Sequence, residues 1–157
     1  MARLNGPLRQ AVYPEISRLW VRGEMVRFRA IVLGLGASFG FLTCLLVFVV
    51  SIWIEQIINI VVGTAYADAA PIAIVQLSAV ALLMASTTLL PALLSMGAAG
   101  ELSKVTLAAT AVFFLIIVPL VTILGAIGAA LGHVVLNSIC LIGWYLVFHG
   151  KIRRVSS

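Results

Sequence analysis

The chain alternates between long apolar runs and short polar joints. From Ala30 to Ile54, AIVLGLGASFGFLTCLLVFVVSIWI, no charged residue occurs, and Glu55 closes the run. A second apolar run extends from Pro71 to Met96, a third from Val105 to Ile123 and a fourth from Ala126 to Phe148. A helix needs about 20 apolar residues to cross the hydrocarbon core of a bilayer, so each run predicts one transmembrane helix. Ahead of them lies AVYPEISRLWVRGEMVRFR, residues 11–29, basic and aromatic. Pro14 suits a first helical turn, Glu15 the positive end of a helix dipole, and Gly23 a helix end. Ile16, Leu19, Trp20 and Val21 make an apolar stripe, while Arg18 and Arg22, one turn apart, can meet lipid phosphates. The alternative is a solvated linker whose charges only set orientation. The predicted fold class is therefore an all-α integral membrane protein, with about four transmembrane helices preceded by an amphipathic cytoplasmic helix. Residues 1–29 form the cytoplasmic amphipathic segment, 30–148 the four-helix membrane region and 149–157 a basic cytoplasmic tail.

The joints give direction. Arg3, Arg9, Arg18, Arg22, Arg27 and Arg29 precede the first run, Lys104 lies in the joint before the third, and Lys151, Arg153 and Arg154 follow the last. Neither the Glu55–Ala70 joint nor the TILGAIG turn carries Lys or Arg. Positively charged loops stay in the cytoplasm, so both ends are expected inside. Trp53, Trp144 and Tyr145 sit where aromatic side chains anchor at the membrane surface. Pro91 should kink the second span, because proline lacks a backbone donor and clashes with the preceding turn. Asp68 can cap that span's first turn.

Composition agrees with residence in a bilayer. The chain is 63% hydrophobic and 10% charged, with mean hydropathy +1.22; soluble domains are about 25% charged. The opening MARLNGPLRQ lacks the apolar core and cleavage site of a secretory signal. The net charge of +5 is split between the two ends of the chain, which sets topology and does not make a nucleic-acid footprint. Cys44 and Cys140 lie in separate apolar runs, without metal or redox spacing. No nucleophile–base set, buried carboxylate pair, metal-ligand set or phosphate loop occurs, so neither an enzyme nor a cofactor is expected.

Read in order, LRQAVYPEISRLWVRGE, a long span, IINIVVGTAYADAAPIAIVQLSA and PLVTILGAIGAALGHVVLN resemble the C-terminal portion of polysaccharide-biosynthesis flippases. These are the O-antigen and teichuronic-acid type exporters of the multidrug/oligosaccharidyl-lipid/polysaccharide superfamily. The shared features are the YPE segment, Gly63, Tyr66 and Ala69 in a G-x-x-Y-x-x-A turn, and Gly125, Gly128, Ala129 and Ala130 in a G-x-x-G-A-A element. The resemblance covers nearly the whole chain. It implies a bacterial cytoplasmic (inner) membrane protein moving an undecaprenyl-pyrophosphate glycan to the outer leaflet. Such flippases have many more spans in two related halves. The chain is therefore expected to act with a missing N-terminal half or a second copy, alongside membrane lipids and the lipid-linked glycan.

Within the runs, His133 and Asn137 share a helical face, and an ionisable group inside a membrane usually faces a bundle interior or a cavity. In the second run Ser86 and Thr87 lie near mid-membrane. These four are the candidate cavity-lining, substrate-binding residues. The alternative is structural: His133 satisfied by a neighbouring helix, Asn137 as interhelical glue, and the hydroxyls bonded to the turn before them. Glu55 and Asp68 read as solvated boundary residues. Gly36 and Gly40, and Gly128 and Gly132, form G-x-x-x-G pairs expected at close helix contacts. Two other functions fit the length: a four-span multidrug exporter acting as a dimer, which lacks an embedded carboxylate to couple protons, and a non-transporting subunit of a polysaccharide assembly complex.

Overall fold

A computed structural model describes residues 14–156; residues 1–13, Ser157 and the side chains of Ala67, Asp68 and Ser156 lie outside the described residues. Arg3 and Arg9, counted above toward the N-terminal charge, fall in that undescribed part. The described residues contain helices and turns and no strand. In order these are α1 (residues 14–21), α2 (Met25–Ile52), α3 (Ile54–Val61), a 3₁₀ helix (Thr64–Ala69), α4 (Ala70–Ser86), α5 (Leu89–Ser95), α6 (Ala99–Leu124) and α7 (Ala126–Ser156). Four of these stretches are long and apolar enough to cross a membrane: α2, α4 with α5, α6, and α7. The chain is thus an all-α, multi-pass membrane protein in its architecture.

Each boundary has a local cause. Gly23 adopts φ +73° and ends α1; its N–H bonds the Trp20 carbonyl, and that of Glu24 the Leu19 carbonyl, the paired bonds of a left-handed helix cap. The first span starts at Met25, earlier than the apolar run, and takes Arg27 and Arg29 into its first turns. It breaks at Trp53, and the joint expected to be a turn instead forms α3 and the 3₁₀ helix. The N-cap of α4 is Ala69, without a side-chain cap; the cap expected from Asp68 lies outside the described side chains. The second span breaks at Thr87–Thr88, one turn ahead of Pro91. Proline at position 91 has no N–H for the Thr87 carbonyl and its ring crowds that carbonyl. At Gly125, φ 61° and ψ −137° turn α6 into α7, a conformation open to residues without a Cβ. The tail continues α7 as helix to Ser156.

The spans are arranged in a row. α4 packs against α2 on one side and α7 on the other, and α6 packs against α7. The spatial order of the spans is therefore first, second, fourth, third. On α2 the buried positions Phe28, Val32, Gly36 and Gly40 recur every fourth residue, one helical face. A Cβ at Gly36 would lie 2.8 Å from Thr88 Oγ1, and one at Gly40 2.9 Å from Ala85 Cβ. Gly132 meets Ile117 and Phe113, and Gly143 meets Val105. Gly36 of the first pair and Gly128 of the second, whose added Cβ atoms would meet the Ala85 and Leu120 backbone, let backbones approach, while Gly40, Gly132 and Gly143 make room for neighbouring side chains.

The helices close most fully at one end. Ile16 and Leu19 of α1 are buried there with Phe28, Leu93, Met96 and Phe148, and Trp20 packs on the same cluster. Trp20 and Phe28 rings lie 5.3 Å apart, and those of Phe28 and Phe148 5.9 Å. The apolar stripe of α1 is thus spent largely on the bundle end. Only Val21, at 84% exposure, remains free for the lipid contact expected of the whole stripe. Arg18 and Arg22 stay exposed on the opposite side.

Candidate functional site

α4 and α7 run parallel, which brings the seventh residue of α4 beside the eighth of α7. With the imidazole proton on Nδ1, a tautomer set by the partner, His133 donates to Gln76 Oε1 at 3.1 Å. Phe113 of α6 stacks on the His133 ring, with centroids 5.6 Å apart and an interplanar angle of 9°. This stacking aligns the ring plane with that of Phe113, and the Gln76 amide engages the ring through Nδ1. Both His133 and Gln76 are exposed on the surface of the row. His133 lies seven residues into α7, about 10 Å along the helix axis, and so within the apolar zone.

The other expected residues have more local roles. Asn137 donates through Nδ2 to the His133 carbonyl at 2.8 Å, and Ser138 to the Val134 carbonyl at 2.8 Å. Ser86 is buried and donates to the Leu83 carbonyl at 2.8 Å; Thr87 donates to the same carbonyl at 3.1 Å. Such bonds return the hydroxyl to its own helix. Ser86 lies ten residues beyond Gln76 on α4, about 15 Å along the axis. The structure therefore unites His133 with Asn137, and does not bring Ser86 or Thr87 to them. Sequence reasoning missed Gln76, the one side-chain amide in the PIAIVQLSAV stretch. It also passed over Thr88, whose hydroxyl donates to the Val32 carbonyl of α2 at 2.9 Å.

The charged end is well defined. Arg29 Nη2 approaches His149 Nε2 at 3.4 Å, and the His149 ring lies 4.5 Å from that of Tyr145. Lys151 pairs with Glu101 at 2.9 Å, tying the end of α7 to the start of α6. Arg27 pairs with Glu24 at 3.1 Å. At the other end Glu55 is exposed on α3. Among the described residues no group of three or more His, Cys, Asp or Glu side chains is placed to hold a metal ion.

Three spaces lie along α2, two of them mostly apolar and the third of mixed polarity. One of about 720 Å³ is walled by α2 and α4, including Gly40, Cys44, Ser78 and Ala81. One of about 320 Å³ adjoins it toward Leu89 and Tyr145, and one of about 340 Å³ lies beside Glu55, Gln56 and Ile74. The walls of these three do not include His133, Asn137, Ser86 or Thr87. Compared with known proteins, the chain matches no family model, no curated protein and no solved structure.

Proposed function

We propose that this chain is part of a transporter that flips lipid-linked oligosaccharide across the bacterial cytoplasmic membrane, with the basic end in the cytoplasm. The observation that carries the reading is the exposed His133–Gln76 pair. An imidazole and an amide on the outer surface of an apolar span are costly against lipid tails. That cost is removed if the face lines a watery cavity closed by further helices, from another polypeptide or a second copy. A polar cavity wall beside aromatic Phe113 suits sugar hydroxyls, which hydrogen-bond at their edges and stack through their C–H faces. The row arrangement supports the same reading, since α2 and α6 at its two edges carry broad exposed apolar faces such as Phe41, Leu42, Phe114 and Leu115. The segment resemblance described above supplies the substrate class.

The experiment is reconstitution. The purified chain, alone and with a candidate partner polypeptide, is placed in liposomes with labelled undecaprenyl-pyrophosphate oligosaccharide, and outer-leaflet accessibility is followed. Flipping is expected with the partner and not with the chain alone. Absence of flipping in both, with other lipid-linked glycans tried, would remove the transport reading.

A further inference from the structure

The three spaces along α2 adjoin one another end to end through shared wall residues. The central one shares Ala37 and Ala85 with the space toward Tyr145, and Ser51 with the space beside Glu55. Together they make one furrow. From Leu33 to Ser51 it follows α2 for about 27 Å, at roughly 1.5 Å per residue, close to the thickness of the hydrocarbon core, about 30 Å. Its central volume of about 720 Å³ lies within the range of small-ligand pockets, roughly 300–1,000 Å³. Small residues such as Ala37, Gly40, Ala81 and Ala85 hollow it out, and the mostly apolar central wall suits a hydrocarbon chain.

Charge gives the furrow a direction. Arg29 stands one helical turn before Leu33, on the same face of α2. Its guanidinium meets His149, whose ring packs on Tyr145, and Tyr145 is part of the furrow wall. A guanidinium has no acceptor and is always charged, so in this contact it donates to His149 Nε2. The His149 proton then sits on Nδ1, which is buried without a hydrogen-bond partner. A cationic guanidinium, steadied by His149, therefore stands near one mouth of the furrow, and a carboxylate, Glu55, stands at the other.

We propose that this furrow is a binding site for a phosphate-headed lipid, with the phosphate at Arg29 and one hydrocarbon chain along α2 and α4. The site needs only that the chain resides in a bilayer, and it stands whether or not the protein transports glycans. An anionic oxygen near Arg29 accepts hydrogen bonds from its remaining guanidinium N–H groups, and the reverse orientation places the phosphate against Glu55.

The test uses the full chain in nanodiscs of phosphatidylcholine containing a small fraction of phosphatidylglycerol with a tail diazirine. After irradiation, adducts are mapped by mass spectrometry. Adducts are expected on furrow residues such as Cys44, Phe48 and Leu82, about five-fold more than from tail-diazirine phosphatidylcholine, since one basic residue near the surface contributes about that factor. Arg29→Gln should remove most of that preference, while Arg18→Gln, exposed on α1, should leave it intact. Ala37→Phe, at an exposed furrow position, should block tail adducts. Unlabelled phosphatidylglycerol should compete and glycerol phosphate should not. Equal labelling by both lipids, equal effects of Arg18→Gln and Arg29→Gln, or competition by glycerol phosphate would each overturn the proposal. Should Arg29→Gln fail to insert, the two-lipid comparison on the unaltered chain decides.

Discussion

The Thr88 hydroxyl donates a buried hydrogen bond to the Val32 carbonyl, 2.9 Å away and on a different span. Thr88 sits at the break between α4 and α5, one turn before Pro91. Proline opens the helix there, and the buried Thr88 hydroxyl fastens it to α2. Phe28, Leu89 and Leu93 are buried around the same junction.

Replacing Thr88 with Val keeps the shape and removes the hydroxyl. Interhelical hydrogen bonds of this kind contribute about 0.6 kcal/mol on average and up to about 1.7 kcal/mol. Because Thr88 is buried, Thr88→Val should fall in the upper half of that range, read as a lower unfolding midpoint in detergent. Thr87→Val should have little effect, since Thr87 bonds within its own helix.

Gly36 should not tolerate a larger side chain. An added Cβ meets Thr88 Oγ1 at 2.8 Å and the Ala85 carbonyl at 3.0 Å. Gly36→Val should destabilise by about 1–3 kcal/mol, the usual cost of overpacking. Gly34, with nothing within 4 Å of its added Cβ, is the control, and Gly34→Ala should be neutral or slightly stabilising. Thermal unfolding of the two variants side by side checks the difference.

The fold was largely legible because four uncharged runs of sufficient length can do little but span. The details that escaped depend on neighbours. Arg27 and Arg29 extend the first helix because long basic side chains reach water while their backbone stays helical. Ile16 and Leu19 read as a lipid-facing stripe, since nothing local reveals that Phe28, Met96 and Phe148 gather at the same end. Half of the candidate site was legible. His133 and Asn137 are joined by helical spacing alone, whereas Gln76 reaches His133 from 57 residues away. Alternating spans already make the second and fourth parallel, but that pairing also requires knowing that they are adjacent, which hydrophobic pattern does not encode. Ser86 and Thr87 were grouped with His133 by chemistry, but α4 carries them a different distance along the bundle axis.

Orientation can be checked with fusions. The basic end holds Arg18, Arg22, Lys104 and Lys151, and among the described residues Lys and Arg are absent from the 54–98 stretch that includes the opposite joint. By the positive-inside bias, a reporter active only in the periplasm should give signal after Asp68 and none after Gly150. The inverse pattern would reverse the assignment of the basic end to the cytoplasm.

The most direct measurement is water access to the His133–Gln76 face. With Cys44 and Cys140 replaced by Ala, single cysteines at positions 133, 76 and 115 are treated in intact cells with a membrane-impermeant thiol reagent, in the presence of whatever polypeptide completes the bundle. Leu115, 76% exposed on α6, serves as the lipid-facing reference. Labelling is expected at 133 and 76, weakened by lipid-linked oligosaccharide, and absent at 115, with His133→Ala lowering transport while the protein still inserts. Positions 133 and 76 as unreactive as 115, with His133→Ala lowering protein level instead of transport, would contradict the cavity and leave a packing histidine in its place.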